Sequence, residues 1–272
     1  MATVKEVLTM LNNFAPEEHV YKQEYDNIGL LFGEPHAQVN KVLVCLDATE
    51  AVLDEAIATG SSMIVSHHPF IYAPIKRINS DDLMGRKILK AARAGLNIYS
   101  AHTNLDFVKD GINEYLAVMM HLHNIMPLQP YISPTEGFGR VGDLTNKVYA
   151  NDLALGIEAL LNDSLVRVVA PKAAQVRRVA IINGGGGGDT KYIDMALAAG
   201  ADCLITADVK HHVAVYAKEM GLTLIEPQHY TMEHVYIARL VQVLKIEAKS
   251  YDLGIEIIQA KSETNPRTGL RQ

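Results

Sequence analysis

Short apolar runs alternate along the chain with segments in which apolar residues recur every three or four positions. This alternation is typical of α/β proteins, because short runs suit buried strands and longer periodic segments suit helices that pack on a sheet. The predicted strands are residues 41–47, 62–66, 97–101, 165–170, 178–183, 202–206, 222–226 and 255–260. The predicted helices are residues 50–59, 83–94, 151–161, 192–199 and 213–220, and a long amphipathic helix follows Pro227.

The length of 272 residues lies where a single core gives way to two, so we expect two α/β domains with mixed or mostly parallel sheets. Residues 121–140 contain three prolines and two glycines and have no clear period, so we place the first crossover between domains there. The helix after Pro227 is expected to return to the first domain. The predicted division is therefore 1–124 with 228–272 as the first domain, and 125–227 as the second.

Composition limits the classes of function. With 49% hydrophobic and 21% charged residues, the chain is neither disordered nor fibrous. A formal net charge of -6 disfavours a nucleic-acid binder, which needs a basic surface, and favours a small-molecule ligand or a protein partner. We expect neither a signal peptide nor a membrane span, which predicts a cytoplasmic protein.

The two cysteines, Cys45 and Cys203, both fall inside predicted strands. Such positions suit buried, reduced thiols better than a disulfide or a thiolate metal site. Any metal in this protein is therefore expected to have nitrogen and oxygen ligands.

Polar residues follow nearly every predicted strand. Ligands of parallel α/β sheets bind beyond the carboxyl ends of the strands, so these positions are candidates for a functional site. They are Asp47, His67, His68, His102, Thr103, Asn104, Asp106, Asp208, His211, His212, Glu226, His229, Glu233 and His234.

The adjacent pair His67 and His68 is the most informative of these. A single histidine at a strand end is more often structural, but two neighbouring imidazoles are harder to explain in that way. Successive side chains of an extended strand point to opposite faces. The two imidazoles would therefore bind one shared ion with poor geometry, but each could bind a separate ion.

A second signal is the four-residue spacing of His229 and Glu233. On a helix this spacing places an imidazole and a carboxylate on one face, although an acid in the first turns of a solvated helix explains Glu233 equally well. Asp106 adds a carboxylate from another strand end. Two or three histidines with two carboxylates suit zinc, iron, manganese or nickel, and one carboxylate can bridge two ions.

The run Gly184–Gly188 stands between a predicted strand and a predicted helix. It could cradle a phosphate with backbone N–H groups, but it lacks the Lys-Ser/Thr ending of a P-loop. A flexible connection that packs closely against its neighbours is the other interpretation.

Six motifs together resemble the Nif-three-like family, whose bacterial members are often labelled GTP cyclohydrolase I type 2 homologue. They are DNIGLLFG (26–33), SHHPFIY (66–72), AHTNLD (101–106), INGGGGG (182–188), TADVKHH (206–212) and HYTME (229–233). The resemblance spans almost the whole chain, which lacks the middle domain of longer relatives. It implies two α/β domains with a dinuclear metal site at their junction, and a ring-shaped homohexamer.

The matching motifs imply a set of site residues. The implied metal ligands are His67, His68, Asp106, His229 and Glu233, with Glu233 as the candidate bridge. His102 is expected close to the metals, or facing the substrate. Asp208, His211 and His212 match a segment that faces the cleft. Ala207 and Gln228 stand where the family usually has glycine, which puts two turn conformations in doubt.

These residues predict two divalent metal ions per chain and hydrolysis of a nucleotide-like or phosphorylated small molecule. His102, His211 or His212 could transfer the proton, with Asp208 as a further catalytic candidate. The alternative is a metal-binding, regulatory or metal-delivery protein without turnover. A pair of metal ions open to solvent is expected in such a protein as well as in an enzyme. A nucleotide-binding module centred on the glycine run is a third interpretation.

Overall fold

Alternating helices and strands form two mixed sheets in the computed structural model, which describes residues 2–19 and 26–268. The first elements are β1 (Ala2–Thr3), α1 (Val4–Phe14), β2 (Gly29–Phe32), β3 (Gln38–Val39), β4 (Lys41–Cys45), α2 (Glu50–Ala58), β5 (Met63–Ser66), α3 (Leu83–Ala94), β6 (Asn97–Ser100) and α4 (Thr103–Phe107). Next come α5 (Ile112–Met119), β7 (His123–Met126), β8 (Gln129–Ser133), β9 (Glu136–Phe138), β10 (Arg140–Tyr149), α6 (Ala150–Leu161), β11 (Arg167–Val169) and β12 (Gln175–Ile181). A 3-10 helix (Gly184–Gly188) precedes α7 (Lys191–Ala198), β13 (Cys203–Ile205), α8 (His211–Met220), β14 (Thr223–Glu226), α9 (His229–Ser250) and β15 (Glu256–Gln259).

The contacts divide the chain into two compact units. The first unit comprises the residues up to Leu105 together with Ile237–Thr264, and the second comprises Asp106–Tyr236 together with the residues from Asn265. Compactness does not show which parts fold alone, so the predicted domains, 1–124 with 228–272 and 125–227, stay a prediction. Their outer limits, residues 1 and 272, lie outside the described residues.

The first unit is built on a five-stranded sheet in the order β15-β4-β5-β6-β2. The four strands from β15 to β6 run parallel, and β2 pairs antiparallel with β6. Strands β4, β5 and β6 are almost entirely buried, as expected for a sheet covered by helices, whereas the edge strand β15 is only partly buried. Helices α2 and α3 pack on it through Val52, Leu53 and Ile88.

The second unit has a six-stranded sheet in the order β11-β14-β13-β12-β10-β7. Its centre, β12-β13-β14, is parallel, while β11, β10 and β7 are antiparallel to their neighbours. Helices α7 and α8 contribute Ile193, Ala196, Val213 and Ala217 to its core. The predicted class, α/β with mixed or mostly parallel sheets, is confirmed.

Every strand and helix predicted from the apolar pattern is present, but residues 121–140 are more ordered than predicted. They contain β7, the β8–β9 hairpin and the start of β10. Pro130 and Gly137 face each other in that hairpin, so the residues that conceal a strand period also suit a short edge ladder.

Cys45 and Cys203 are free and fully buried in β4 and β13, as predicted. Burial raises the pKa of both thiols, which makes them poor metal ligands or nucleophiles. Within the described ranges, the search for a helix able to cross a membrane found none.

A buried arginine connects α4 to β10 in the second unit. The guanidinium of Arg140, 1% exposed, donates to the carbonyl oxygens of Gly139, Phe107 and Val108, and it pairs with Glu114 at 3.2 Å. It therefore holds the backbone that directly follows Asp106.

We expect Arg140→Met to lower the free energy of unfolding by about 3 kcal/mol, because the carbonyl oxygens lose their donors and Glu114 loses its partner. Urea denaturation followed by circular dichroism measures this. Arg93→Met, at an exposed position of α3, is the control and should change stability by less than about 0.5 kcal/mol. Equal effects of the two substitutions would contradict this role of Arg140.

Candidate metal centre

In the first unit, the strand register brings three histidines to one edge of the sheet. Cys45 pairs with Ser66, and Ser66 pairs with Ser100, so β4, β5 and β6 end in line. His67, His68 and His102 follow directly after β5 and β6 and therefore lie at the carboxyl ends of parallel strands, where ligands of such sheets bind.

These three side chains form a group that could hold a metal ion. One ring nitrogen of each lies within 4.8 Å of the others. His67 is fully buried, whereas the side chains of His68 and His102 are 25% and 24% exposed. His102, expected from the sequence to lie close to the metals, thus belongs to the donor group itself.

Each of the three imidazoles is oriented through its Nδ1 atom. The Nδ1 of His67 lies 2.8 Å from the carbonyl oxygen of Ala101, that of His68 lies 2.8 Å from Asp47 Oδ1, and that of His102 lies 2.6 Å from Asp26 Oδ1. A carbonyl or carboxylate oxygen accepts, so Nδ1 carries the proton and Nε2 of the neutral ring has the lone pair. Metal-bound histidines have this arrangement.

Asp26 is a site residue that the sequence reasoning missed as such, although it begins the DNIGLLFG motif. Burial acts to raise the pKa of Asp26, but the hydrogen bond and charge of His102 and the donors of Thr103 and Asn27 outweigh it and lower the pKa to about 2. The carboxylate thus stays ionised. It accepts from Thr103 Oγ1 at 2.5 Å, which ties the start of α4 to His102.

In the second unit, β12, β13 and β14 also end in line, with Ile181, Ile205 and Ile225 as register partners. Asn183 and Asp208 follow the first two strands, and α9 begins at His229 shortly after the third. The edge of this sheet therefore collects a second group of polar side chains.

His229 and Glu233 converge on one face of α9. The Nε2 of His229 lies 2.9 Å from Oε2 of Glu233, which is 3% exposed. The Nδ1 of His229 lies 2.7 Å from Asp208 Oδ2, so this imidazole too is oriented by a carboxylate. Asp208 adopts the left-handed conformation (φ 52°), which Asp tolerates better than most residues, and its other oxygen contacts Arg267.

Asp106 and Glu233 share a hydrogen-bond donor. The Nδ2 of Asn183 lies 2.9 Å from Asp106 Oδ1 and 3.1 Å from Glu233 Oε1. The sequence reasoning did not single out Asn183. Its place between β12 and the glycine run, in line with the other strand-end polar residues, was the available signal.

The start of α9 is held by the buried carboxylate of Asp163. It accepts from the backbone and side-chain nitrogens of Gln228 at 2.6 and 2.8 Å, and from Thr231 Oγ1 at 2.6 Å. Burial acts to raise the pKa of Asp163, but these hydrogen bonds lower it. Gln228 thus has a structural partner, and neither it nor Ala207 has a positive φ, so these turns do not need the glycine usual in the resembling family.

The glycine run packs against the same residues. Gly184 has φ 62°, and a Cβ built on it would overlap Glu233 Oε1 and lie 3.3 Å from His229 Nε2. At Gly187 a Cβ would overlap the carbonyl oxygen of Ala207. The interpretation of the run as a closely packed connection therefore has direct support.

His211 and His212 lie exposed in the first turn of α8. Among the predicted site residues of the second unit, hydrogen bonds join Asp106 to Glu233 through Asn183 and join Asp208 to His229, and a 2.9 Å contact joins His229 to Glu233. His211 and His212 face solvent. The catalytic roles predicted for His102, Asp208, His211 and His212 stay predictions.

The two groups of side chains fit metal ions chemically. Oriented imidazole nitrogens and carboxylate oxygens suit divalent ions of borderline softness. The two cysteines are buried inside the sheets, so they do not add thiolate ligands to these groups. The structure therefore contains histidine and glutamate groups that could bind metal.

Comparison with known proteins identifies the family. The model of the family described as Duf34/NIF3 (NGG1p interacting factor 3) matches residues 2–266. The chain belongs to this family. A Lactococcus lactis relative named GTP cyclohydrolase 1 type 2 homolog is 33% identical over 97% of this chain and 98% of its own length. A Clostridium acetobutylicum relative of the same name is 31% identical over 96% of each chain.

A solved structure supports the fold assignment. The crystal structure of Staphylococcus aureus protein SA1388 matches with a TM-score of 0.89 and 28% identity, covering 99% of each chain. The architecture described above is thus that of the NIF3 superfamily.

We expect Gly184→Ala to lower the free energy of unfolding by about 1–2 kcal/mol for the positive φ alone, and to weaken metal binding because Cβ displaces Glu233. Urea denaturation and zinc titration against a chelator measure the two effects. Gly185→Ala is the matched control, since its φ is -76° and a Cβ there meets nothing within 4 Å. Equal behaviour of the two variants would show that the close approach at Gly184 is unimportant.

Glu263 lies beside the end of β4, next to Asp47, the residue that orients His68. Its carboxylate accepts from the backbone N–H groups of Leu46 and Asp47 at 2.9 and 2.8 Å. Burial, more strongly than the opposing hydrogen bonds, raises the pKa of Glu263 to about 7. Because this pKa is raised on folding, its contribution to stability is complete below about pH 4 and disappears as the pH rises through 7.

Glu263→Gln keeps an acceptor without the charge. We expect the metal-free wild type to lose about 1–2 kcal/mol of unfolding free energy relative to this variant between pH 5 and 8, allowing for solvent screening. Urea denaturation across that range tests it, with Glu219→Gln on the exposed surface of α8 as control. A difference that does not vary with pH would contradict the raised pKa.

Proposed function

We propose that this chain is a dinuclear metal-dependent hydrolase that acts on a nucleotide-like or phosphorylated small molecule. The observation that carries the proposal is the orientation of four strand-end or helix-start imidazoles through Nδ1 by oxygen acceptors. These hydrogen bonds at Nδ1 leave Nε2 of each ring as the candidate ligand atom, and Nε2 of His229 lies 2.9 Å from Glu233, the other proposed ligand on α9.

The proposed ligands come from both groups of side chains. They are His67, His68, Asp106, His229 and Glu233, with Glu233 as the bridge, and His102 is an additional donor. When bound, two ions such as zinc, iron, manganese or nickel would supply Lewis acidity and lower the pKa of a water molecule toward neutrality. The placement of one centre at the junction of two domains is part of this proposal and rests on the family resemblance.

The protein's own residues suggest different roles for the remaining candidates. Asp208 contacts His229 Nδ1, which supports a role in orienting that ligand rather than in direct proton transfer. His102 is oriented through Nδ1 by the Asp26 carboxylate, which supports a role as a metal donor or as a group that contacts the substrate. His211 and His212 are exposed and within reach of a substrate that enters from solvent.

The names of two relatives support a nucleotide as the substrate. Those of Lactococcus lactis and Clostridium acetobutylicum are named GTP cyclohydrolase 1 type 2 homolog, so hydrolytic ring opening of GTP is the first reaction to examine. On the resemblance, we further propose that the protein is cytoplasmic and forms a ring-shaped homohexamer. Sedimentation velocity tests the number of subunits directly.

Metal content is the first test. Elemental mass spectrometry of untagged protein should find about two ions per chain. His68→Ala and Glu233→Ala each remove a proposed ligand and should lower that number, whereas His36→Ala, at an exposed position, should not. The absence of metal after reconstitution, or the same content in all four proteins, would contradict the metal centre.

Turnover is the second test. The metal-loaded wild type should consume GTP or a phosphoester faster than Glu233→Ala under the same conditions. A wild type with two ions but a rate equal to that of Glu233→Ala would reject the hydrolase and leave metal binding, regulation or delivery as the function. Transfer of its metal to an acceptor protein would then distinguish delivery.

A further inference from the structure

Asn183 is a buried amide that contacts two carboxylates at once. Its side chain lies at the end of β12, the residue is 6% exposed, and Nδ2 donates to Asp106 Oδ1 and to Glu233 Oε1 at 2.9 and 3.1 Å. Carboxylate oxygens accept, so the NH₂ group and not the amide oxygen must face them. The hydrogen bonds therefore determine the orientation of the amide.

The backbone of Asn183 is anchored independently of its side chain. Its N–H donates to Oδ1 of Asn113, which is 1% exposed, at 2.8 Å. The Nδ2 of Asn113 donates in turn to the carbonyl oxygen of Asp106 at 3.2 Å. Asn113 and Asn183 thus belong to one hydrogen-bond network with Asp106, which joins α4, α5 and the residues after β12.

A neutral amide has an electrostatic advantage at this position. Asp106 and Glu233 carry like charges and share one donor, so they are held close together where they repel each other. A lysine or arginine would offset that repulsion but would also compete with a cation for the carboxylates. The amide orients both groups and leaves their full negative charge for metal ions.

The other end of the amide argues against a purely structural role. Asn183 Oδ1 is buried, and it has no hydrogen-bond partner within residues 2–19 and 26–268. An acceptor buried without a partner lowers stability, so fold stability alone does not explain the amide at this position.

We propose that Asn183 is a positioning residue that sets the separation and orientation of Asp106 and Glu233 for metal binding. The inference rests on the proposed metal centre, because it assigns a role to Asn183 only through these two carboxylates. Outer residues that orient ligands typically contribute 10–100-fold to metal affinity.

The test measures zinc affinity by competition with a chromogenic chelator, together with the stability of the metal-free protein. We expect Asn183→Ala to weaken zinc binding about 10–100-fold while the protein remains folded. Asn183→Asp, which places a third negative charge against the two carboxylates, should also make zinc affinity vary more steeply with pH. Asn183→Ser, which keeps a short donor, replaces the alanine variant if that does not fold, and its expected loss is smaller.

Asn97→Ala is the control, since Asn97 is 2% exposed and its amide donates to a backbone carbonyl in the other unit. It should lower stability and leave zinc affinity unchanged. Wild-type affinity in the folded Asn183 variants would overturn the inference while the metal centre stands. Absence of zinc binding by the wild type would instead overturn the proposed function, and the inference with it.

Discussion

Both candidate groups of side chains, one in each unit, depend on the same interaction, the hydrogen bond from a histidine Nδ1 to an oxygen acceptor. Ala101 provides a carbonyl for His67, and Asp47, Asp26 and Asp208 provide carboxylates for His68, His102 and His229. Each bond sets one ring orientation. For His67, His68 and His102 it leaves Nε2 as the candidate donor atom, whereas Nε2 of His229 contacts Glu233 Oε2 at 2.9 Å.

Strand register brings these interactions together within each unit. Parallel strands of similar length end at one edge, so residues that follow different strands become neighbours despite wide separation in sequence. In the first unit this edge joins the residues after β4, β5 and β6, and in the second those after β12, β13 and β14. The apolar strands thus supply the rigid support that polar ligands need.

In the second unit, the backbone and side chains around His229 and Glu233 are closely packed. Gly184 allows the backbone to approach Glu233 and His229, and Asp163 secures the turn from which α9 begins. A buried carboxylate such as Glu233 is costly unless it is hydrogen-bonded, and the Asn183 amide supplies one of its donors while it also donates to the half-buried Asp106. The same contacts that make the charges tolerable also limit how the ligands can move.

The sequence alone determined the fold class and most strands of the two large sheets with their helices, and its motifs named the candidate ligands, which stay a prediction. Period and strand-end position are local properties of the chain, so they can be recognised without coordinates. The β8–β9 hairpin was missed because Pro130 and Gly137 conceal its period. Only the tertiary structure decided which oxygen orients each imidazole, that Asn183 joins Asp106 to Glu233, and that Gly184 faces both His229 and Glu233. Those contacts join residues up to 77 positions apart, and the distance between such residues depends on packing, which no local pattern specifies.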